Sequence, residues 1–429
     1  MEDDAPAAAA LPVDLVLEIA ARSDPATLLR CAAACRALRL GAASPVFHRG
    51  LRLRHAGGEG GRFVPALLRG FFHQRRRRAE GEDPRFVDPL LPRGAPSPEP
   101  FRSFLSEYTD LFEFYAPAAA RGGLVALRSS NPDEEEEPSV VTTCTSMGVC
   151  DPMAGSLEFF RPPGISAHSH VLLSHGCDGI GCRFRLVAAN LQSPQADDRA
   201  ACCCLQTQAY SSDTGAWGPI TETWVPGLPR GAEFVRPAAL VLDGVAHWLC
   251  MSSDHQSYCV LTFSSKASPT VTVTVIREED DGDDHCRRLH GRKPEELLLV
   301  SSPVEGRVSL LVAEQGLEIS LWTADAAGSC WTRQVMVDTE KVRQAAAPME
   351  LPLDGKRELR WFGEKSGGVL RVVEPVRGCS LYFMLGMGTG RVRMLCRFCR
   401  DRDVLVFFPY EMDLSFWRPK ITPNVIVHR

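Results

Sequence analysis

The chain has 429 residues, 45% of them hydrophobic, so it is long enough for more than one domain and apolar enough to fold. With 48 Lys and Arg against 53 Asp and Glu, a net charge of -5 argues against general attraction to nucleic acid or membrane. The acidic N-terminus lacks the basic segment of a secretory signal, and no apolar run is long enough to cross a bilayer. We therefore expect a cytoplasmic protein, a nuclear protein, or one found in both compartments.

The first fifty residues predict a disordered tail over 1–10 and a small unit of three helices over 11–50. Leu15 and Ile19 lie one helical turn apart, which indicates an amphipathic helix. Pro25 fits the first position of a second helix, where its missing N–H costs little. The pattern therefore predicts a compact helical module.

Residues 51–100 predict a linker, because glycines cluster over 57–61 and prolines over 84–100. A short apolar helix is expected near residues 63–72. Four arginines at 75–78 favour a solvated surface, with nuclear import or nucleic-acid binding as the alternatives.

From residue 101 the chain shows short alternating strands with an internal repeat. Five glycines each precede a β-rich run: Gly123, Gly181, Gly244, Gly306 and Gly368. Subtraction of successive positions gives separations of 58, 63, 62 and 62 residues. Turn sequences that contain a further glycine follow in several units, for example over 211–215.

Each repeat unit can be divided into four strands, which is the composition of a propeller blade. In the fourth unit the predicted strands cover residues 296–301, 307–314, 317–324 and 331–337. The predicted fold is therefore α plus all-β and multidomain. It has a three-helix N-terminal module and, over 101–429, a β-propeller-like domain of five or six four-stranded blades. Residues 403–427 are expected to close the ring or to form part of a sixth blade.

The helical module resembles the F-box motif, especially its form in grasses. The matching residues are Leu11-Pro12-Val13-Asp14-Leu15, Glu18-Ile19, Asp24-Pro25-Ala26-Thr27-Leu28, Arg30-Cys31, Cys35-Arg36 and Phe47. Leu38 stands where many F-boxes carry a tryptophan. Segments 121–127, 210–217 and 241–249 are similar to phrases of plant F-box-associated propeller domains.

This resemblance implies a substrate-receptor subunit of a Skp-cullin-F-box E3 ubiquitin ligase, which recruits a protein target and is not itself an enzyme. It implies an apolar surface for a Skp-type adaptor, and through that adaptor a cullin. The residues implied are Leu11, Pro12, Leu15, Ile19, Leu28 and Leu29. The alternative is that these side chains form only an internal core or dock on the propeller.

The sequence contains few candidates for a catalytic or metal-binding site. It contains no Gly-x-Ser-x-Gly elbow, no His-Glu-x-x-His and no P-loop. Cys202, Cys203 and Cys204 are consecutive, and a strand would turn them to alternate faces, so they do not predict a metal site. His168, His170 and His175 lie within one stretch, and the first two could share a face and bind a metal or respond to pH, although ordinary surface histidines are the simpler interpretation.

We therefore expect no metal and no cofactor. Trp217, Trp248, Trp322, Trp331 and Trp361 are expected to anchor blade cores. Two alternative functions stay open at this level: a propeller enzyme or small-ligand binder, and a scaffold with a degenerate F-box.

Overall fold

A computed structural model describes most of the chain and shows a protein built mainly from strands. The described residues are 11–23, 25–44, 46–47, 50, 63–74, 85–87, 111, 115–129, 145–152, 156–174, 184–192, 203–229, 231–254, 257–265, 270–276, 289, 291–303, 306–314, 317–325, 331–346, 355–376, 379–399 and 406–411.

The described helices are concentrated near the N-terminus. They are α1 Val13–Ser23, α2 Pro25–Ala34, α3 Arg36–Ala42 and, much later, α4 Thr339–Ala346. The Pro12 carbonyl accepts hydrogen bonds from Leu15 N and Val16 N and so begins α1. A Cβ placed on Gly41 would overlap Leu17, so glycine is what lets α3 approach α1 closely.

The strands of the described residues fall into six antiparallel sheets. The early strands are β1 Leu68–Gln74, β2 Arg85–Val87, β3 Tyr115–Arg121, β4 Leu124–Ser129, β5 Met147–Asp151, β6 Ser156–Phe160, β7 Ser169–Ser174, β8 Phe184–Gln192, β9 Cys203–Ser211, β10 Ala216–Trp217 and β11 Thr221–Val225. The later strands are β12 Glu233–Phe234, β13 Leu240–Leu242, β14 Val245–Met251, β15 Tyr258–Ser264, β16 Thr270–Val275, β17 Leu297–Ser301, β18 Val308–Ala313, β19 Ile319–Ala324, β20 Trp331–Val337, β21 Lys356–Phe362, β22 Gly368–Val376, β23 Cys379–Gly386, β24 Val392–Cys399 and β25 Val406–Glu411.

Five of these sheets are the blades of a β-propeller, which confirms the propeller prediction. Blades one, four and five have four strands in chain order, β3–β6, β17–β20 and β21–β24. Blade two contains β7–β11, because its fourth strand is divided into β10 and β11, which both pair with β9. Blade three contains β12–β16, because its first strand is divided into β12 and β13, which both pair with β14. The first strands of neighbouring blades lie side by side, as β3 lies beside β7 and β17 beside β21.

The sixth sheet joins the two ends of the propeller. Its strand order is β2–β1–β25, so β1 from residues 68–74 pairs antiparallel with the late strand β25. β25 also contacts β3 of blade one, while Leu68 and Phe71 pack in one apolar cluster with Leu370 of blade five. The sheet therefore fills the gap between blades five and one.

This closing sheet changes the expectation for residues 51–100. We expected a linker with a short helix near 63–72, but residues 65–67 form a single 3-10 turn and β1 follows. The reason is tertiary: Phe71 is fully buried and packs edge-on against Trp361, with ring centroids 5.6 Å apart. Part of the predicted closing segment, 406–411, is β25, and residues 412–427 lie outside the described residues.

Antiparallel blades give the propeller two different ends. We call the end that carries the turns between first and second strands the turn face, and the opposite end the loop face. Glu364 in the β21–β22 turn accepts a hydrogen bond from Arg121 Nε of blade one at 2.8 Å and another from Val241 N of blade three at 2.6 Å. One carboxylate therefore connects three blades across the axis at the turn face.

Candidate functional site

The six residues predicted to bind an adaptor lie in two environments. Leu11, Leu15 and Ile19 are 57%, 44% and 50% exposed, and Pro12 is also exposed. Leu28 is only 1% exposed, so in this structure it supports the helices from inside. The side chain of Leu29 lies outside the described residues.

The interior of the helical unit is continuous with the propeller. Leu17, Ala20, Leu28, Ala32 and Ala42 are all buried. They belong to one apolar cluster with Leu111, with three residues of blade one and with one of the closing sheet, namely Val125, Leu127, Cys150 and Tyr410. The helices are therefore anchored on one side, and their exposed apolar side chains lie outside this shared core.

Exposed apolar side chains are concentrated on the helices. Among the described residues, ten large hydrophobic side chains are exposed, and six of them fall within 11–46. These six are Leu11, Val13, Leu15, Ile19, Leu40 and Val46. We define Leu11, Pro12, Leu15 and Ile19 as the apolar helix face. Asp14 and Arg36 are exposed and add charge of both signs to the same small unit.

The candidate histidines do not form a pair. His168 is exposed, whereas His170 is 7% exposed on β7. Burial, with a smaller contribution from the nearby Arg128 charge, lowers the pKa of His170 to about 4. His175 lies outside the described residues. The two described histidines therefore do not share one accessible face.

The cysteines of β9 point to opposite faces, as the sequence predicted. Cys203 packs in the cluster between blades two and three, while Cys204 lies opposite Trp224 in the pairing of β9 with β11. Burial raises the pKa of the Cys204 thiol, which disfavours a reactive thiolate. Within the described ranges, no three His, Cys, Asp or Glu side chains are grouped to hold a metal ion.

The tryptophans predicted as anchors are buried or half-buried. Trp248 is fully buried in blade three and donates from Nε1 to Ser169 Oγ of blade two at 2.8 Å. Trp217 donates from Nε1 to the Arg161 carbonyl at 2.7 Å and so fixes the connection between blades one and two. These rings hold blades together.

Sequence reasoning missed the charged groups that join the blades. Near the loop face, Arg236 of blade three donates to the carbonyls of Glu295 and Leu297, and its guanidinium lies 3.9 Å from the Glu358 carboxylate of blade five. Glu358 also accepts from Arg360 at 3.0 Å. No local signal could have identified these partners, because they are brought together only by closure of the ring.

The sequence of the propeller matches a known family. The family described as Domain of unknown function (DUF7595) matches residues 95–415, which is most of the chain. The chain belongs to this family. The DUF7595 match covers the five blades, α4 and β25, and it leaves α1, α2, α3, β1 and β2 outside. No curated protein matches this chain.

Several solved structures resemble this DUF7595 protein distantly. A sialidase from Trypanosoma rangeli in complex with the inhibitor DANA is 8% identical with a TM-score of 0.36, covering 66% of this chain and 47% of its own. A mutant of AofleA from Arthrobotrys oligospora is 10% identical with a TM-score of 0.37, covering 82% and 88%. The Nup133 β-propeller domain of Vanderwaltozyma polyspora is 9% identical with a TM-score of 0.30, covering 68% and 76%.

The chain spans about half the length of the sialidase structures that it matches. Similarity at this level says nothing about activity. In the described part of the chain, no helix combines the length and apolar character that a membrane span requires.

Proposed function

We propose that this DUF7595 protein is an F-box substrate receptor of a Skp-cullin-F-box E3 ubiquitin ligase. Its helical module binds a Skp-type adaptor, and its propeller recruits a protein target for ubiquitination. The chain itself is not an enzyme in this proposal. The observation that carries it is the apolar helix face, whose exposed residues coincide with those of the F-box-like sequence.

The energetics of the apolar helix face favour a partner. Leu11, Leu15 and Ile19 each leave roughly half of their side-chain surface in water. Burial of apolar surface contributes about 25 cal/mol per Å², so covering these side chains on an adaptor is favourable. Leu28 has the complementary role, because its burial holds the helices in the arrangement that presents the face.

We assign target capture to the loop face of the propeller. At the turn face, the Glu364 carboxylate spans the axis through Arg121 and Val241. The connections between blades, such as residues 161–168 and the segment that begins at 226–229, lead from a fourth strand to the next first strand and belong to the loop face. Loops held on a rigid scaffold are the usual carriers of binding specificity.

Binding of the purified full chain to a purified Skp-type adaptor tests this function. Replacing Leu15→Ala together with Ile19→Ala removes two half-exposed side chains and should cost about 2 kcal/mol, or roughly 30-fold in Kd. Ile220→Ala is the matched control, since Ile220 is 46% exposed on blade two and should leave Kd unchanged. Adaptor binding of equal strength in the double variant would contradict the proposal, provided that circular dichroism shows intact helices.

A further inference from the structure

Arg371 is a charged side chain buried between two blades. It lies on β22, where its Cα partners are Leu359 and Phe383, and it is 1% exposed. Those two partners belong to the apolar cluster that blade five shares with blade four. From this position Arg371 Nη1 donates to the carbonyl of Leu317, in the β18–β19 turn of blade four, at 2.5 Å.

The rest of the Arg371 guanidinium has no protein partner among the described residues. Both Nε and Nη2 are buried without a hydrogen-bond acceptor. These two nitrogens lie on one edge of the planar group, and that edge is the fork that binds carboxylate or phosphate in a bidentate way. A buried cation with an empty fork is costly unless an anion fills it.

Burial, with a smaller contribution from the Arg357 charge, lowers the pKa of Arg371 to about 10. The side chain therefore still carries its positive charge at neutral pH. Deprotonation of the Arg371 guanidinium therefore does not remove the uncompensated charge at this site.

The carboxylates closest along the chain to Leu317 are already engaged, since Glu318 accepts from Arg333 Nη2 and Glu314 has partners of its own. Glu314 accepts from Arg292 Nη2, from Arg333 Nε at 3.1 Å and from Ser320 Oγ at 2.6 Å. Glu314 therefore balances the charges of Arg292 and Arg333 and does not serve Arg371.

The surroundings of the β18–β19 turn are rich in positive charge. Arg357 Nη1 donates to the backbone carbonyl of Glu314 at 2.9 Å, and Arg333 Nη2 donates to the Glu318 carboxylate. Arg292 and Arg371 also contact this turn, which carries Glu314 and Glu318, and Glu296 lies 3.9 Å from Arg292. None of these three carboxylates hydrogen-bonds Arg371, whose Nε and Nη2 edge is therefore the part of this site open to an anion.

We propose that one phosphate-sized oxyanion binds the Nε and Nη2 edge of Arg371 between blades four and five. Its oxygens would accept from the two N–H groups that have no partner and would offset the uncompensated charge. Because Arg371 is 1% exposed, the ligand is a small enclosed anion and not a group on a protein surface. Bound there, it would hold the two blades together.

The test measures the thermal midpoint of the full chain in chloride and in inorganic phosphate at equal ionic strength. Phosphate also stabilises proteins through a general solvent effect. Arg391→Met supplies the control for this effect, because Arg391 is exposed in the β23–β24 turn of the same blade five. We expect the midpoint of the wild type and of Arg391→Met to rise with phosphate concentration, and that of Arg371→Met to show only a smaller general rise.

Equilibrium dialysis with radiolabelled phosphate gives the stoichiometry. We expect one phosphate per chain in the wild type and in Arg391→Met, and none in Arg371→Met. Equal retention by Arg371→Met would identify an adventitious ion only and would overturn the proposal, as would the absence of bound phosphate in the wild type.

If Arg371→Met does not fold, Arg371→Lys decides the question. Lysine keeps the charge but lacks the fork, so we expect at least a tenfold rise in the phosphate Kd. An unchanged Kd in Arg371→Lys would also overturn the proposal.

Discussion

Single side chains connect blades that are far apart in the sequence. Glu364 and Arg121 are 243 residues apart, yet they form a partly buried ion pair at 2.8 Å. The Glu364 carboxylate also accepts from Val241 N, so its removal would take away the acceptor of this backbone N–H and break the ion pair with Arg121. Interactions of this kind explain why blades that share few local contacts form one ring.

Two buried histidines make stability depend on pH. Burial lowers the pKa of His247 to about 4, and burial with the Arg128 charge does the same for His170. In the unfolded chain both rings have a pKa near 6.5. Below that pH the two histidines bind protons in the unfolded state but stay neutral in the folded state. The free energy of unfolding therefore falls between about pH 6.5 and pH 4.

We therefore predict that His170→Asn weakens this acid dependence. Each histidine contributes a loss on the order of 3 kcal/mol by pH 4, and the variant should lack one such contribution. Urea denaturation of wild type and variant at pH 7 and at pH 4.5 measures the difference. His168→Asn is the control, because His168 is exposed immediately before β7, the strand that carries His170, and this variant should behave as wild type. Identical pH slopes for wild type and His170→Asn would refute this assignment.

The sequence predicted only partly which apolar residues of the helical module are exposed. Spacing indicated a face containing Leu15 and Ile19, the F-box resemblance added Leu11, and these side chains are exposed. The resemblance did not separate Leu28 from them, and a helical period alone does not say which apolar residues face the module's own core. Arg371 gave no signal at all, since its environment depends on the pairing of β22 with β21 and β23 and on packing against blade four.

At the scale of elements, blade four was predicted almost strand for strand. Its expected segments 296–301, 307–314, 317–324 and 331–337 correspond to β17, β18, β19 and β20 within two residues at each end. Glycine explains why the repeat is visible: Gly123 and Gly244 have φ of +86° and +77° in turns before the second strands of their blades. Gly181 lies outside the described residues.

The closing sheet was not predicted, and the reason is physical. Residues 63–72 are apolar without a clear alternation, and a short run of that kind fits either a buried strand or a helix. Its partner β25 is more than 330 residues away, with Phe72 opposite Phe408. Pairing at such a distance leaves no trace in local sequence.

Packing of Phe71 should make the closing sheet sensitive to a single substitution. Phe71 is fully buried against Trp361 and near Leu370, so Phe71→Ala should lower the free energy of unfolding by about 3–5 kcal/mol. Chemical denaturation measures this loss. Val335→Ala is the control, because Val335 is 44% exposed on β20 and should cost less than about 0.5 kcal/mol. A loss for Phe71→Ala no larger than that of the control would show that β1 is not needed to close the ring.

The whole molecule is not a helical module joined to a propeller by a passive linker. Residues 63–67 already pack on blade five, where Val64 N donates to the Lys365 carbonyl at 2.8 Å and Phe63 meets Phe362 edge-on at 5.9 Å. Strand β1 then enters the closing sheet, and the helices share an apolar cluster with blade one. The folding unit of the propeller therefore begins before residue 63 and not at residue 101.

This boundary predicts the behaviour of fragments. A chain of residues 101–429 lacks β1 and β2 and leaves both β25 and the apolar surface of blade five around Leu370 uncovered. We expect it to aggregate or to melt without a cooperative transition, because an unpaired strand and an exposed core face favour self-association.

A chain of residues 60–429 restores β1 and should melt cooperatively. Its midpoint should lie below that of the full chain, because the helices no longer cover their part of the shared cluster. Differential scanning calorimetry of the three chains distinguishes these cases, and a cooperative transition of 101–429 at the midpoint of 60–429 would show that the five blades close without the N-terminal strand.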